Sequence, residues 1–489
     1  MRPRRDVYYG IMEPDEQPQK HLSQHHGDIL TETDIPIDAG LKSAGIDRTK
    51  LSLMHLAWPI WIENIIRVAI TSADVFMLSF YSEEAVAATG LITQITFFVV
   101  IMYLMVASGA SIIISQNLGA RNTAAAGQVA QGSIILAIVF SVILSAIMCL
   151  TAEKIVGFYR LDPQVHRYAM EYLLIYCAGS VSVALSMILS TIIRSYGHSR
   201  GPMVINAAAM VISVIGNYIF IFGAFGAPVL GVKGVALSTV FSQVVACVLL
   251  WIMLKKRHDI VLEKGGMRKV PKGVYRQILA VGVPTAGENL SWTLGQIVIM
   301  RFIASLGTEA MAAYVYAITL LRFVFITSIS IGSATQIKVG YYVGAGMANV
   351  AQRKVYRYFL TGVVITVVLV VIVKLFQQPF LSLFTQNENI HALAFMMLTV
   401  ALIYEPGRNF NVIIIPALKG AGDVRFPVYV GAIFMWGVGV LLAYVFGISL
   451  GWGLFGILVA LMMDEWLRGS VMLLRWKGGK WKSKALVKN

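Results

Sequence analysis

Apolar residues in this chain come in long blocks, with polar residues confined to the short stretches between them. After residue 50 the blocks fall at 53–80, 86–116, 127–151, 165–193, 202–224, 232–254, 277–303, 310–343, 355–376, 390–417, 427–448 and 453–474. A helix needs roughly 20 apolar residues to cross the hydrocarbon core of a bilayer. Apolarity on every face marks a helix whose solvent is lipid or protein, never water. The pattern therefore predicts an all-α membrane protein with twelve transmembrane helices, the longest of them tilted or protruding.

The polar stretches alternate in charge. One set holds "GARN" (119–122), "RSYGHSR" (194–200), "KKRHD" (255–259), "QRK" (352–354), "KGAGDVR" (419–425) and the tail "RWKGGKWKSK" (475–484). The other holds "YSEEA" (81–85), "APVLG" (227–231), "TEA" (308–310) and "FTQNENI" (384–390). Basic loops stay in the cytoplasm. The first set and both termini are thus expected there, for a multi-pass protein of the cell (inner) membrane.

The blocks also repeat. At an offset of 225 lie Pro59/Pro284, Glu63/Glu288, Asn64/Asn289, Glu84/Glu309, Gly119/Gly344, Gly197/Gly422, Arg200/Arg425 and Pro202/Pro427. Each half holds six blocks, an even number, so both halves enter the membrane in the same sense. That predicts parallel repeats related by an axis along the membrane normal, enclosing a central cleft. The expected organisation is a polar arm at 1–50, a six-helix lobe at 51–258, a linker at 259–275, a second lobe at 276–475 and a basic tail at 476–489.

Composition agrees: 57% of the residues are hydrophobic and 13% charged, against about 25% charged in soluble domains. The net charge of +15 sits in loops and tail, without the basic face and interleaved aromatics of a nucleic-acid binder. Cys149, Cys177 and Cys247 have no ligand-like spacing, and the arm's His21, His25 and His26 lack a structured context. No Walker A loop, nucleophile elbow or zinc-protease motif appears. The chain reads as a transporter, neither an enzyme nor a cofactor protein.

Charge inside the blocks is where chemistry is expected, because an acid at the centre of a membrane helix costs about 2.5–3.5 kcal/mol. Glu63 and Arg67, Glu405 and Arg408, and Asp464, Glu465 and Arg468 stand three or four apart, the spacing of local helical pairs. Asp74 and Glu288 have no cation at that spacing. Each either holds an exchangeable ion or pairs with an arginine of another helix, such as Arg301 or Arg322. Pro59 and Pro284, one turn before the two glutamates, are candidate hinges or static kinks. Trp61, Trp292 and Tyr316 are candidate cleft aromatics for an organic cation, alongside Glu63, Glu405 and Arg408.

The order of "ADVFMLS" (73–79), "QNLGAR" (116–121), "GVPTAGEN" (282–289), "VGYYVGAG" (339–346), "PALKGAGDVRFP" (416–427) and "RWKGGKW" (475–481) resembles the multidrug and toxic compound extrusion (MATE) family of secondary antiporters. The resemblance covers residues 51–480. It implies efflux of a cationic, amphipathic small molecule in exchange for H⁺ or Na⁺, by a monomer working within the membrane lipid. It carries the family's first-span aspartate onto Asp74 and its seventh-span glutamate onto Glu288. The family's fifth-span Asn-x-x-x-Asp becomes Ser213 to Asn217 here, and its sixth-span threonine matches Thr239. A sodium site would then comprise Asp74, Asn217 and Thr239, with one carboxylate in place of two, and the departure leans toward protons. A flippase for a lipid-linked precursor and a non-transporting receptor or scaffold are the alternatives.

Overall fold

The computed structural model describes residues 47–262 and 266–487; the arm before residue 47, with its three histidines, lies outside the described residues. Twelve long helices follow: α1 Leu53–Ser79, α2 Glu83–Gly119, α3 Thr123–Gly157, α4 Pro163–Ser195, α5 Arg200–Phe222 and α6 Val232–Lys256, then α7 Lys272–Ser305, α8 Thr308–Gly344, α9 Ala348–Leu375, α10 Glu388–Gly420, α11 Arg425–Ser449 and α12 Gly453–Lys477. Among the described residues nine of these are long and apolar enough to cross a membrane. The other three, α1, α7 and α12, carry the buried acids Glu63, Asp464 and Glu465 and the half-buried Glu288.

Short polar loops begin the helices. Ser52, Ser82, Asn122, Asp162 and Asn387 each accept a backbone N–H in the first turn that follows, filling donors that a helix start leaves open. Two helices depart from α geometry. α10 widens to a π-helix at Phe410–Ile414. Pro416 has no N–H to offer the Val412 carbonyl one turn earlier, and that carbonyl turns to α8, where a Cβ at Gly332 would lie 2.1 Å from it. α11 contains two π segments, Met435–Val440 and Ala443–Ser449.

The halves are joined on one side only. The basic-side ends of α7, α8, α9, α10 and α12 share a hydrophobic cluster with the first six helices, including Met105, Ile113, Ile278, Ile337, Tyr341, Leu418 and Trp476. The opposite ends of the second half pack among themselves, around Ile299, Tyr314, Leu398 and Ile457. At the joint α2 crosses α8 backbone to backbone. A Cβ on Gly119 would stand 2.2 Å from the Tyr341 carbonyl oxygen, and one on Gly344 would stand 1.9 Å from that of Gln116. Gly119 and Gly344 are separated by the repeat offset, as are Gln116 and Tyr341, so a pseudo-twofold axis passes through this crossing.

Polar bonds close the same end. Tyr341 donates to the Ser195 carbonyl at 2.6 Å, and the Lys338 amine reaches the carbonyls of Thr49 and Leu51. Arg48 donates to the Tyr196 carbonyl and pairs with Asp259 at 3.1 Å; His198 meets the same carboxylate at 2.8 Å. Burial disfavours ionisation of Asp259, but the His198 hydrogen bond and the charges of His198 and Arg48 outweigh it and hold the carboxyl below its usual value.

Candidate functional site

Each half carries a polar cluster within the membrane. In the first half, α1 and α5 bring Asp74 and Asn217 together. The Asn217 amide donates to Asp74 Oδ1 at 2.7 Å. Asn217 is fully buried, and its own Oδ1 has no partner. Ser213 lies buried one turn earlier on α5. On the next helices the Tyr172 hydroxyl of α4 bonds Thr239 of α6, and Tyr172 lies close enough to Asp74 for their charges to interact. Among the described residues Asp74 has no ion-pair partner. Neither Arg301 nor Arg322 reaches it, since both side chains are exposed. Tyr172 was not foreseen, because a tyrosine in an apolar block reads as ordinary packing.

Glu63 sits deeper toward the basic side, only 3% exposed. The local pair with Arg67 forms at 3.2 Å, but the Arg67 side chain is 58% exposed. Arg194 of α4 reaches the other carboxylate oxygen, and Asn206 of α5 donates at 3.0 Å. Glu63 thus ties α1 to α4 and α5 as a buried, ion-paired carboxylate. Trp61 bridges the halves, its indole N–H donating to Thr327 Oγ1 at 2.9 Å, and Asn64 contacts Ser330 Oγ at 3.4 Å. Tyr316 stacks on Phe384, centroid to centroid 5.1 Å, and does not line the cavity of its half.

That cavity, about 240 Å³, lies in the second half between α7, α8, α10, α11 and α12. Trp292, Phe325, Ile329, Val412 and Met435 form its apolar walls, and Glu288, Arg408, Lys419, Glu465 and Arg468 its charged ones. Glu288 does have a cation. Lys419, at the basic-side end of α10, stands 2.8 Å from Glu288 Oε2. Local spacing could not find it, because the partner arrives from another helix. A lysine beside "GAGD" reads as a loop charge, whereas its apolar stem lets the amine reach inward.

Arg408 meets Glu405 at 3.1 Å and Glu465 at 4.0 Å. Its guanidinium lies 3.8 Å from the Phe325 ring centroid, close enough for a cation–π contact. Glu405, 1% exposed, therefore supports Arg408 from behind the cavity wall. Arg468 pairs with Asp464 at 2.8 Å and with Glu465 at 3.0 Å. Asn411, in the π segment of α10, donates to Glu465 Oε2 at 2.6 Å. Pro59 and Pro284 lie inside helices that run unbroken through them.

A family profile described as MatE matches residues 59–219 and 284–445, two blocks that start at the paired prolines. The uncharacterized transporter YisQ of Bacillus subtilis is 36% identical over 441 residues, covering 90% of this chain and 97% of its own. The probable multidrug resistance protein NorM of Thermotoga maritima is 27% identical over 443 residues, 90% of this chain and 95% of its own. An outward-facing multidrug resistance MATE family transporter of the MOP superfamily superposes with TM-score 0.79 at 19% identity, over 88% of this chain and 96% of that one. With the profile spanning both repeats and YisQ matching nearly end to end, the chain belongs to the MATE family of membrane transporters.

Proposed function

We propose that the protein exports cationic, amphipathic small molecules across the cell membrane in exchange for protons, with the basic side cytoplasmic and the two halves rocking about their joint. One observation carries the coupling: Asp74 lies half-buried in a membrane helix with an amide for a partner and, among the described residues, no cation. A carboxylate so placed is costly when charged, and a proton from outside removes that cost. Neutral Asp74 lets α1 shift within its half, with Pro59 as the place where the helix bends. When the halves open inward the proton leaves and the charge returns.

Proton coupling is preferred to sodium because Asn217 stands where a second carboxylate would complete a sodium shell, and sodium favours several oxygens. Closure of the molecule on the basic side only corresponds to the outward-facing member of an alternating-access pair.

The second-half cavity supports a cationic cargo. With every carboxylate ionised, its connected charges are Glu288, Glu405, Asp464 and Glu465 against Arg408, Lys419 and Arg468, an excess of one negative charge. Trp292 and Phe325 add π faces to the wall. A lipid-linked pyrophosphate would meet that excess as repulsion, and Arg301 and Arg322 lie outside the cavity. The flippase reading therefore has less support than cation efflux.

The test is dye efflux from proteoliposomes under an imposed pH or Na⁺ gradient. Asp74→Asn is expected to lower gradient-driven efflux at least about tenfold, the loss of a group acting in the coupled step, while leaving the thermal unfolding midpoint within a few degrees. Undiminished efflux in this variant, or efflux driven by Na⁺ alone, rejects the proton assignment. Scrambling of a lipid-linked sugar without dye efflux replaces it with the flippase.

A further inference from the structure

The second-half network has one carboxylate more than it has cations, and most of its members line the cavity between α7, α8, α10, α11 and α12. Glu288 is matched by Lys419 at 2.8 Å, and Glu405 by Arg408 at 3.1 Å. Glu465 and Asp464 share Arg468, at 3.0 and 2.8 Å. Glu465 also takes both N–H bonds of the Asn411 amide, one on its carboxylate at 2.6 Å and one on its backbone carbonyl at 2.9 Å, and it lies 4.0 Å from Arg408. Asp464 has the least support. It is 2% exposed, and among the described residues Arg468 is its single ion-pair partner and its Oδ1 has no hydrogen bond.

We infer that Asp464 holds one exchangeable proton on Oδ1, making the α12 carboxylate a second proton site, separate from Asp74. An uncompensated charge buried in a membrane protein is costly. A proton on this oxygen neutralises the network, turns an orphan acceptor into a donor and leaves the Asp464 Oδ2–Arg468 hydrogen bond in place.

The network around Asp464 and Arg468 draws on several helices. Arg468 and Glu465 share α12, and Glu288 of α7 interacts with Arg468. α10 supplies Glu405, Arg408, Lys419, Tyr404 and Asn411. α8 supplies Tyr314, which feels the charge of Arg408. α11 offers Gly439, where a Cβ would sit 3.7 Å from the Asp464 carboxyl carbon, so the acid packs on bare backbone there.

Both facing segments, Phe410–Ile414 and Met435–Val440, are π-helical, a geometry that concentrates at working sites. Among the described residues no group of three or more acidic, histidine or cysteine side chains could hold a metal ion.

This inference rests on proton-driven transport for its role, but its test does not use transport. Infrared titration of the full chain in liposomes reads the carbonyl stretch of protonated carboxylic acids directly. The expected result is a carboxylic-acid band that disappears in Asp464→Asn and survives in Asp74→Asn. Potentiometric titration should show about one proton fewer taken up per molecule in Asp464→Asn.

An unchanged band in Asp464→Asn overturns the assignment, as does displacement of the proton by added Na⁺. If Asp464→Asn does not fold, Asp464→Glu keeps a carboxyl at the site and is expected to shift the band's frequency; an unshifted band there overturns it as well. Failure of the Asp74 efflux test, with the Asp464 band behaving as expected, would reject the coupling assignment and leave this proton site standing.

Discussion

A buried acid is read wrongly when only its neighbours in sequence are counted. Glu63 and Arg67 have the spacing of a local helical pair, and the pair forms. Its energetic weight nevertheless lies with Arg194, because a mostly exposed arginine contributes about 0–1 kcal/mol whereas removing a shielded partner strands a buried charge at roughly 3–5 kcal/mol. The Arg67 side chain is 58% exposed and that of Arg194 20%. Arg194→Met is therefore expected to destabilise the protein by about 3 kcal/mol, and Arg67→Met by less than about 1 kcal/mol, as read by thermal or denaturant unfolding in detergent. Equal losses would place the weight on the local pair. The same lesson applies to Glu288: its cation was invisible at three or four residues because Lys419 reaches it across the cavity. Asp74 has no cation at the spacing of a local helical pair, and the structure adds the Asn217 amide that holds it.

At the scale of elements, apolar block length located the helices well, because lipid leaves a backbone segment few alternatives to a closed helix. The expected blocks and observed helices differ mainly at their ends, where α2, α3 and α8 extend beyond the apolar stretch into caps and polar turns. The π segments were not legible. They depend on which carbonyl a proline frees and on what the neighbouring helix offers it, as Gly332 offers Val412. The basic tail folds back onto the helices. Trp481 is fully buried and stacks on Trp476, with centroids 4.0 Å apart and planes 2° from parallel. Beyond it, the Leu486 N–H donates to Gln116 Oε1 at 2.8 Å, while Gln116 Nε2 donates to the Gly420 carbonyl at 2.8 Å. The tail thus fastens α2 to α10 across the joint. Truncation after Gly478 should speed hydrogen exchange around Gln116 and lower the unfolding temperature by several degrees, as expected from losing a buried tryptophan worth about 3–5 kcal/mol. Exchange unchanged at Gln116 would mean that the strap does not brace the joint.

For the whole molecule, the decisive feature is that one crossing serves both halves. Gly119 and Gly344 occupy equivalent places in the repeats, and each receives a backbone carbonyl of the other half where a side chain would stand. The repeat offset was visible in the sequence, but the role of these glycines was not, since a glycine before a basic turn also reads as a helix stop. The structure makes them the contact that lets α2 and α8 close. Their φ values do not demand glycine, as neither has a left-handed backbone; the space does. Gly344→Val would drive a branched side chain against Gln116, where even a Cβ would stand at 1.9 Å. The closed joint should therefore be disfavoured relative to the inward-open form, and transport should slow because one of the two states it cycles between is lost. Spin-label distances between α2 and α8 on the basic side are expected to lengthen in Gly344→Val, with efflux falling about tenfold or more, equivalent to a bias of at least about 1.4 kcal/mol. The equivalent change at Gly119 should act in the same direction, because the pseudo-twofold axis presents the same obstacle from the other half. If both variants kept wild-type distances and efflux, the α2–α8 crossing could not be the pivot about which the halves exchange access.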